Sequence, residues 1–277
     1  MPAGGRRCCR RVEGVALSEL VGRTVVITGA SRGLGAGLAH HFAAKGMRLG
    51  LCARGDLPLS EGADVVAERF DIADGIALDD FASKVAMRLG AIDLWINNAG
   101  LLAPIAPVRD VSAAAFRRHL DVTLTGAFLG TRAYVRHVRA RPGGGVLINI
   151  SSGAATKAYE GWGAYCAAKA GLLHLTRCVA AEERDSGLRA YSVAPGVMDT
   201  GMQELIRSST LEQFPQLERF KDLKRNDAFN SPAFVAEHLL SVAFDCDYPT
   251  ADPLIRIPNE SRGAQNDQTP PDATRRD

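Results

Sequence analysis

The sequence predicts an α/β fold with one doubly wound parallel sheet of the Rossmann type and helices on both faces. Strand-like apolar runs alternate with helical segments along the chain, and a Gly-rich turn lies between the first strand and the first helix. Thr24 to Thr28 is a short β-branched run, which is typical of a strand buried on both faces. Strands and helices that alternate in this way form right-handed βαβ units and a parallel sheet.

The remaining elements follow in the same order. Between residues 54 and 65 the chain is only just long enough for a crossover, so we expect a very short helix or none there. Ser231 followed by Pro232 predicts the N-cap and first position of a late helix. The predicted strands cover residues 24–28, 48–53, 65–70, 93–96, 145–150, 189–193 and 254–257, and the predicted helices cover residues 33–46, 79–90, 113–141, 164–186 and 231–244.

Composition excludes several classes of protein. The formal net charge of the 277 residues is +2, which favours neither a nucleic-acid partner nor a membrane surface. No apolar run approaches the roughly 18 residues that span a bilayer. The cysteines have no zinc spacing, so we expect no metal site and a reducing, cytoplasmic location. They are Cys8, Cys9, Cys52, Cys166, Cys178 and Cys246.

Both ends differ in composition from the chain between them. Residues 1–21 are basic and contain no apolar stretch of the kind found in secretory signals, so we expect a disordered extension, with a transit peptide as the alternative. Residues 258–277 are rich in polar residues and proline, which predicts a disordered tail. The sequence therefore predicts a single domain over residues 22–257.

The Gly-rich turn after the first strand is a candidate dinucleotide site. Glycines allow a tight turn and let a pyrophosphate approach the amide groups at the start of the next helix. The alternative is an ordinary strand-to-helix turn, but the position in the fold favours dinucleotide binding. The candidate residues are Gly29, Ser31, Arg32, Gly33, Leu34 and Gly35.

The end of the second strand indicates the cofactor. NAD sites carry a carboxylate there, whereas this strand ends in Ala53 and Arg54, with Arg32 nearby in the Gly-rich turn. Two guanidinium groups suit a 2′-phosphate, so we predict NADP(H); the alternative is that both arginines are simply solvated. Asp71 and Ile72, after the third strand, are candidates for contact with the adenine, although Asp71 is also placed to cap a helix.

Tyr165 and Lys169 form the candidate catalytic pair. A spacing of four residues places both side chains on one face of a helix. An unperturbed tyrosine is a poor acid at neutral pH, and a neighbouring cation stabilises its phenolate. Ser152 lies at the end of the fifth strand, at the sheet edge where ligands bind, and could hydrogen-bond a substrate carbonyl.

In order and spacing, these motifs resemble those of short-chain dehydrogenases/reductases. The resemblance covers about residues 22–257 and includes Asn97-Asn98-Ala99-Gly100, Ser152, Tyr165-x3-Lys169 and Pro195-Gly196. It implies that Tyr165 is the acid/base, that Lys169 binds the nicotinamide ribose and lowers the pKa of Tyr165, and that Ser152 polarises the carbonyl. It further implies that the cofactor is lined by Asn98, Ala99, Gly100, Pro195, Gly196, Val197 and Thr200.

Around the active site the chain resembles the benzil reductases that form (S)-benzoin, relatives of sepiapterin reductase. The resemblance rests on Ser151-Ser152-Gly-Ala, Gly161-Trp-Gly-Ala-Tyr-Cys166, Val197-Met-Asp-Thr200 and the stretch 206–224. It implies that Thr200 touches the nicotinamide carboxamide and that residues 201–225 form a substrate lid.

Two positions depart from the resemblance. Thr123 stands where the family usually carries an Asn that supports the lysine, so we count Thr123 among the catalytic candidates. Arg256 lies near the position where sepiapterin reductases carry an Asp for the pterin, which argues against a pterin substrate.

These expectations combine into an NADPH-dependent reductase of a bulky or aromatic 1,2-diketone. The alternatives are an alcohol or sugar dehydrogenase, a 3-oxoacyl-thioester reductase, and a weakly catalytic NADPH-binding sensor or scaffold. The long helices at 113–141 and 164–186 resemble those that pair across a twofold axis in related enzymes, which predicts a homodimer or homotetramer. Candidate substrate-wall residues are Tyr159, Trp162, Met198, Met202 and Phe214.

Overall fold

Seven parallel strands form one sheet in the computed structural model, which describes residues 17–59, 62, 64–245 and 252–260. The strands are β1 (Thr24–Thr28), β2 (Arg48–Ala53), β3 (Val65–Arg69), β4 (Ile92–Asn97), β5 (Gly145–Ile150), β6 (Leu188–Ala194) and β7 (Leu254–Arg256). The helices are α1 (Leu17–Leu20), α2 (Gly33–Ala44), α3 (Gly75–Leu89), α4 (Ala113–Leu120), α5 (Gly126–Arg139), α6 (Gly163–Glu182), α7 (Gly201–Arg207), α8 (Leu217–Arg225) and α9 (Pro232–Phe244).

The order of the strands is β3-β2-β1-β4-β5-β6-β7, so the winding reverses between β1 and β4. In such sheets, ligands bind in the crevice beyond the carboxyl ends of the strands at this reversal. The structure therefore confirms the predicted doubly wound parallel sheet and identifies the edge at which to look for a site.

Apolar packing covers both faces of the sheet. One core cluster joins β1, β2 and β6 to α2 and α9, and a second joins the opposite face to α3, α5 and α6. All five residues of β1 are buried, as expected for a central strand covered on both sides. None of the helices in the described ranges is both long and apolar enough to cross a bilayer.

Buried amides connect β4 to β5 close to the sheet edge. Asn97 Nδ2 donates to Asn149 Oδ1 at 2.8 Å, and Asn149 Nδ2 donates to Thr176 Oγ1 of α6 at 2.9 Å. Asn97 Oδ1 accepts from the Trp95 indole at 2.8 Å. Because these polar groups are buried and bonded to one another, they fix the relative positions of the strands that carry the candidate site.

The predicted helix over 113–141 is interrupted. A π-helical turn, Asp121–Thr125, separates α4 from α5, and Gly126 N donates to Asp121 O across it. Such turns insert one extra residue and are set by tertiary packing, so sequence periodicity does not show them. As expected, no helix occurs between β2 and β3 in the described residues.

The described domain extends past both predicted boundaries. Leu17–Leu20 is helical and Leu20 is buried, although these residues fall in the segment predicted to be a disordered extension. At the other end, the Glu260 carboxylate accepts from Ser231 N and Ser231 Oγ at the start of α9. The rest of the two predicted tails, residues 1–16 and 261–277, lies outside the described residues.

Candidate active site

The Gly-rich turn folds tightly against the end of β4. Gly29 has φ +68°, and a Cβ atom on it would lie 2.7 Å from Ala99 Cα. A Cβ atom on Gly35 would lie 2.3 Å from the Gly29 carbonyl oxygen. Arg32 stands at the N-cap of α2, and no side chain caps the first turn of that helix. The turn therefore leaves backbone amides at a helix N-terminus available to an anionic group.

Asn98 holds this turn in place. Its Nδ2 donates to the carbonyl oxygens of Thr28 and Gly29, both at 3.0 Å. In return, Thr28 Oγ1 accepts from the backbone amides of Asn98 and Ala99 at 3.0 and 3.2 Å. Asn98 to Gly100 thus lie beside the Gly-rich turn, where they were predicted to line a cofactor.

Arg32 and Arg54 are both exposed at the same edge of the sheet. A Cβ atom on Gly55 would lie 3.6 Å from Ser31 Oγ, so the segment after β2 touches the Gly-rich turn. Asp56, an acid shortly after β2, is bonded to Arg69 of β3 at 2.5 Å. The structure therefore brings the two predicted arginines to one region and engages the nearest carboxylate elsewhere.

Asp71 already has partners in the structure. Its carboxylate accepts from Ala73 N at 3.1 Å and from Arg118 of α4 at 2.7 Å, whereas Asp74 is the residue that caps α3. Partial burial opposes ionisation, but the hydrogen bonds from Ala73 and Arg118 and the charge of Arg54 lower the pKa of Asp71. Ile72 is buried against α5, where a Cβ atom on Gly126 would lie 2.7 Å from its Cγ2.

Tyr165, Lys169 and Ser152 meet at the carboxyl ends of the strands. Both α6 side chains are buried, and Lys169 Nζ lies 5.7 Å from the centre of the Tyr165 ring. Lys169 Nζ donates to the Ile150 carbonyl oxygen at the end of β5, at 2.7 Å. Ser152 follows that strand, and its Oγ accepts from Ala154 N at 3.2 Å. This is a proton donor beside a cation and a hydroxyl, as acid–base chemistry on a carbonyl requires.

The surroundings of Tyr165 raise its pKa above the ordinary value of a tyrosine. Burial raises the pKa of the phenol, and the hydrogen bond with Ser152 is a smaller lowering influence. The Lys169 ammonium group lies over the ring and donates to a backbone carbonyl oxygen. Burial also lowers the pKa of Lys169 from 10.5 to about 8. A raised pKa keeps the phenol protonated, which is the form that can donate a proton.

Thr123 lies in the π-helical turn and is fully buried. Its Oγ1 accepts from Leu101 N at 3.1 Å. A Cβ atom on Gly100 would lie 3.8 Å from Thr123 Cγ2 and 3.9 Å from Lys169 Nζ, so both side chains flank the same backbone position. The departure at residue 123 is therefore next to Lys169, the candidate catalytic lysine.

An aromatic cluster lies against Tyr165. Trp162 stacks on Phe214 with ring centres 4.7 Å apart, meets Tyr165 edge-on at 5.5 Å and has Tyr159 at 5.0 Å. Phe220 of α8 completes the cluster. Three of the predicted wall residues, Tyr159, Trp162 and Phe214, are thus brought together beside the candidate proton donor.

The two predicted methionines lie elsewhere. Met198 is packed in the core cluster of α2 and α9, and Met202 of α7 is 38% exposed. Met198 also lines a cavity of about 290 Å³ together with Gly33 and Thr200. A Cβ atom on Gly33 would lie 3.2 Å from Thr200 Cγ2, so this cavity lies beside the Gly-rich turn.

Comparison with known proteins agrees with this geometry. The family model for short chain dehydrogenase matches residues 23–210. Benzil reductase ((S)-benzoin forming) from Bacillus subtilis (strain 168) is 35% identical over 226 residues, which cover 78% of this chain and 91% of that protein. The enzyme of the same name from Bacillus cereus is 32% identical, over 85% of this chain and 99% of that protein. The chain belongs to the short-chain dehydrogenase family.

Solved structures agree on the fold. The crystal structure of KRED1-Pglu enzyme superposes on this short-chain dehydrogenase with a TM-score of 0.76 and 28% identity, covering 85% of this chain and 100% of that one.

In this short-chain dehydrogenase, the loop after β6 is held by a residue that sequence reasoning missed. Asn230 Nδ2 donates to the Pro195 carbonyl oxygen at 2.9 Å, and Asn230 N donates to the Val197 carbonyl oxygen at 2.8 Å. The loop Pro195–Val197, with Gly196 at φ +80°, is therefore fixed next to the cavity lined by Thr200. Asn230 directly precedes the N-cap Ser231, but nothing in that dipeptide indicates its second role.

His119 is the other residue that sequence reasoning missed. It is fully buried on α4, and its ring meets the Tyr165 ring edge-on at 6.0 Å. It lies in the last turn of α4, directly before the π-helical turn that holds Thr123, and no sequence signal indicates its burial against Tyr165.

Proposed function

We propose that this short-chain dehydrogenase is an NADPH-dependent carbonyl reductase that reduces one carbonyl of an aromatic or bulky 1,2-diketone to the hydroxy ketone. The observation that carries the proposal is the meeting of Tyr165, Lys169 and Ser152 beside an aromatic cluster. The similarity to two benzil reductases over most of the chain supports the same substrate class.

The residues at the strand ends fit a dinucleotide. A Cβ atom at position 29 or 35 would collide with neighbouring backbone, so glycine at both positions allows the tight turn. The first turn of α2 has amide groups that no side chain caps. Among the described residues, Arg32 has no ion-pair partner, and Arg54 has a longer-range attraction to Asp71. These features support a pyrophosphate at the turn and a 2′-phosphate between the arginines.

When bound, the nicotinamide supplies a hydride to the carbonyl carbon. Tyr165 holds the proton that goes to the carbonyl oxygen, and its raised pKa keeps that proton in place at neutral pH. Ser152 offers a hydroxyl for a hydrogen bond to the same oxygen, and Lys169 places a positive charge where negative charge develops. Tyr159 is the partly exposed ring of the aromatic cluster, and its apolar face next to Trp162 suits an aryl ketone.

The assembly and location are further parts of the proposal. An apolar groove between α4 and α6, lined by Val108, Val111, Phe116 and neighbours, supports a homodimer or homotetramer built on these helices. The cysteines at 52, 166 and 178 are free, which suits a reducing cytoplasm. We propose a small-molecule carbonyl substrate as the partner, and neither nucleic acid nor membrane.

The substrate is tested by following NADPH consumption with benzil, a β-ketoacyl thioester, sepiapterin and buffer alone. We expect benzil to be reduced fastest. If the thioester is reduced and benzil is not, the proposed 1,2-diketone substrate is wrong and a 3-oxoacyl-thioester reductase is favoured. NADPH binding without any turnover would favour the sensor or scaffold.

Cofactor preference is tested by comparing kcat/KM for NADPH and NADH. We expect a preference for NADPH of at least about tenfold, equivalent to about 1.4 kcal/mol from one charge-assisted contact. Arg54→Asp should erase or reverse this ratio. The matched control is Arg184→Asp, an exposed arginine next to the amino end of β6, which should leave the ratio unchanged. Equal kcat/KM values in the unmodified enzyme would contradict the assignment of NADPH.

A further inference from the structure

His119 has one ring nitrogen bonded and one free. Its Nδ1 lies 2.8 Å from the Ala103 carbonyl oxygen. A carbonyl oxygen can only accept, so Nδ1 carries the proton, and in the neutral ring Nε2 is an acceptor. Nε2 is buried without a hydrogen-bond partner among the described residues. Buried polar atoms are rarely left unsatisfied, and internal water is their usual partner when protein groups are absent.

The candidate acid–base pair, Tyr165 and Lys169, lies next to this imidazole. Tyr165 and Lys169 of α6 are the titratable groups that face it, and Arg118 of its own helix is bonded to Asp71. Burial and, to a smaller extent, the charge of Lys169 lower the pKa of His119, which keeps the ring neutral. The Lys169 ammonium group, whose charge acts on this imidazole, has hydrogen-bond donors, whereas Nε2 is an acceptor.

The Lys169 ammonium group can donate more hydrogen bonds than the described residues accept from it. An ammonium group has three donors, and among the described residues one of them goes to the Ile150 carbonyl oxygen. Thr123, which flanks Gly100 together with Lys169, already accepts from Leu101 N. An additional acceptor on this face comes from His119, one helical turn before Thr123.

We propose that His119 is a positioning residue, whose unprotonated Nε2 accepts a hydrogen bond from a water molecule that in turn accepts one from the Lys169 ammonium group. This rests on the proposed reductase function. The water molecule orients the ammonium group, and through it the charge next to Tyr165. His119 itself touches neither substrate nor cofactor.

The test compares His119→Leu, which removes the acceptor, with His119→Gln, which keeps one. We expect His119→Leu to lower kcat for benzil about tenfold, the rate equivalent of one net hydrogen bond, and His119→Gln to restore most of it. KM and the Kd for NADPH should change little in both. Unchanged kcat in His119→Leu, or equal losses in both variants, would overturn the inference.

A second measurement does not depend on turnover. Nitrogen NMR of His119 should show the neutral tautomer protonated at Nδ1 at pH 7. Its pKa should rise in Lys169→Met, because the neighbouring positive charge is gone. A ring protonated at Nε2, or a pKa unchanged by Lys169→Met, would overturn the inference. If the unmodified enzyme reduces none of the ketones, the proposed function fails, and this measurement alone decides the role of His119.

Discussion

Burial sets the acid–base chemistry of individual residues in this site. The phenol of Tyr165 and the ammonium group of Lys169 are both removed from water, and burial disfavours the charged form of each. The phenol is therefore held protonated, while the ammonium group loses its proton more readily than a free lysine. The raised pKa of Tyr165 keeps the proton donor in place in alkaline solution, whereas the lowered pKa of Lys169 removes its positive charge there.

The pH dependence follows from Lys169. Its pKa is lowered from 10.5 to about 8, so the group is charged below about pH 8 and neutral above it. We expect kcat/KM for ketone reduction to be level below this value and to fall as the pH rises through it. Lys169→Met should lack the fall, whereas Lys157→Met, an exposed lysine of the loop after β5, should keep it. A level profile up to pH 10 in the unmodified enzyme would contradict the assignment.

The sequence predicts where single residues lie when their spacing along the chain determines their position in the fold. Tyr165 and Lys169 share a helix face because they are four residues apart, and Ser152 lies at the sheet edge because a strand ends there. The lowering of the Tyr165 pKa by Lys169 stays a prediction, and the burial that raises this pKa depends on tertiary contacts that spacing does not show. His119 was missed because a lone histidine in a helix does not reveal its burial against another helix.

At the scale of elements, Asp199 joins the two helices of the predicted lid. Its carboxylate accepts from Arg207 of α7 at 3.2 Å and from Lys224 of α8 at 2.5 Å. These hydrogen bonds lower the pKa of Asp199, with Lys224 as the largest influence. The segment 201–225 is thus tied by one residue to the loop that follows β6.

Removing this link should loosen the lid. We expect Asp199→Asn to raise KM for the ketone about threefold, in keeping with the modest energies of exposed ion pairs, and to speed proteolysis between α7 and α8. Glu218→Gln is the control, because Glu218 pairs with Lys221 and Arg225 within α8 alone. The link has no role if KM and the cleavage rate are both unchanged in Asp199→Asn.

The strands were easier to predict than the helices. β1, β2 and β5 have the predicted bounds, since apolar runs between turn signals define buried strands well. The helix over 113–141 was predicted as continuous, but residue 123 occupies a π-helical turn, where its hydroxyl accepts from Leu101 N. The lid was placed by resemblance, and its division into α7 and α8 became visible only in the structure.

At the scale of the whole molecule, apolar surface remains on the helices predicted to pair. Phe116 of α4 and Phe128 of α5 are 37% and 43% exposed. We expect a homodimer or homotetramer by light scattering at micromolar concentration. Phe128→Asp should shift the mass toward the monomer, because a charge would be buried in the interface. Met87→Asp, on the exposed side of α3, is the control. A monomeric mass for the unmodified protein would contradict the proposed assembly.

We propose that Tyr165 donates the proton to the carbonyl oxygen, and the variant Tyr165→Phe lacks that donor. The substitution keeps the ring and removes the hydroxyl, so we expect kcat for benzil to fall by about 10²–10⁴-fold. The Kd for NADPH should change by less than about threefold, since the turn and the arginines are intact. Tyr191→Phe, in strand β6 of the core, should leave kcat unchanged. Near-normal turnover in Tyr165→Phe would mean that the proton comes from another group.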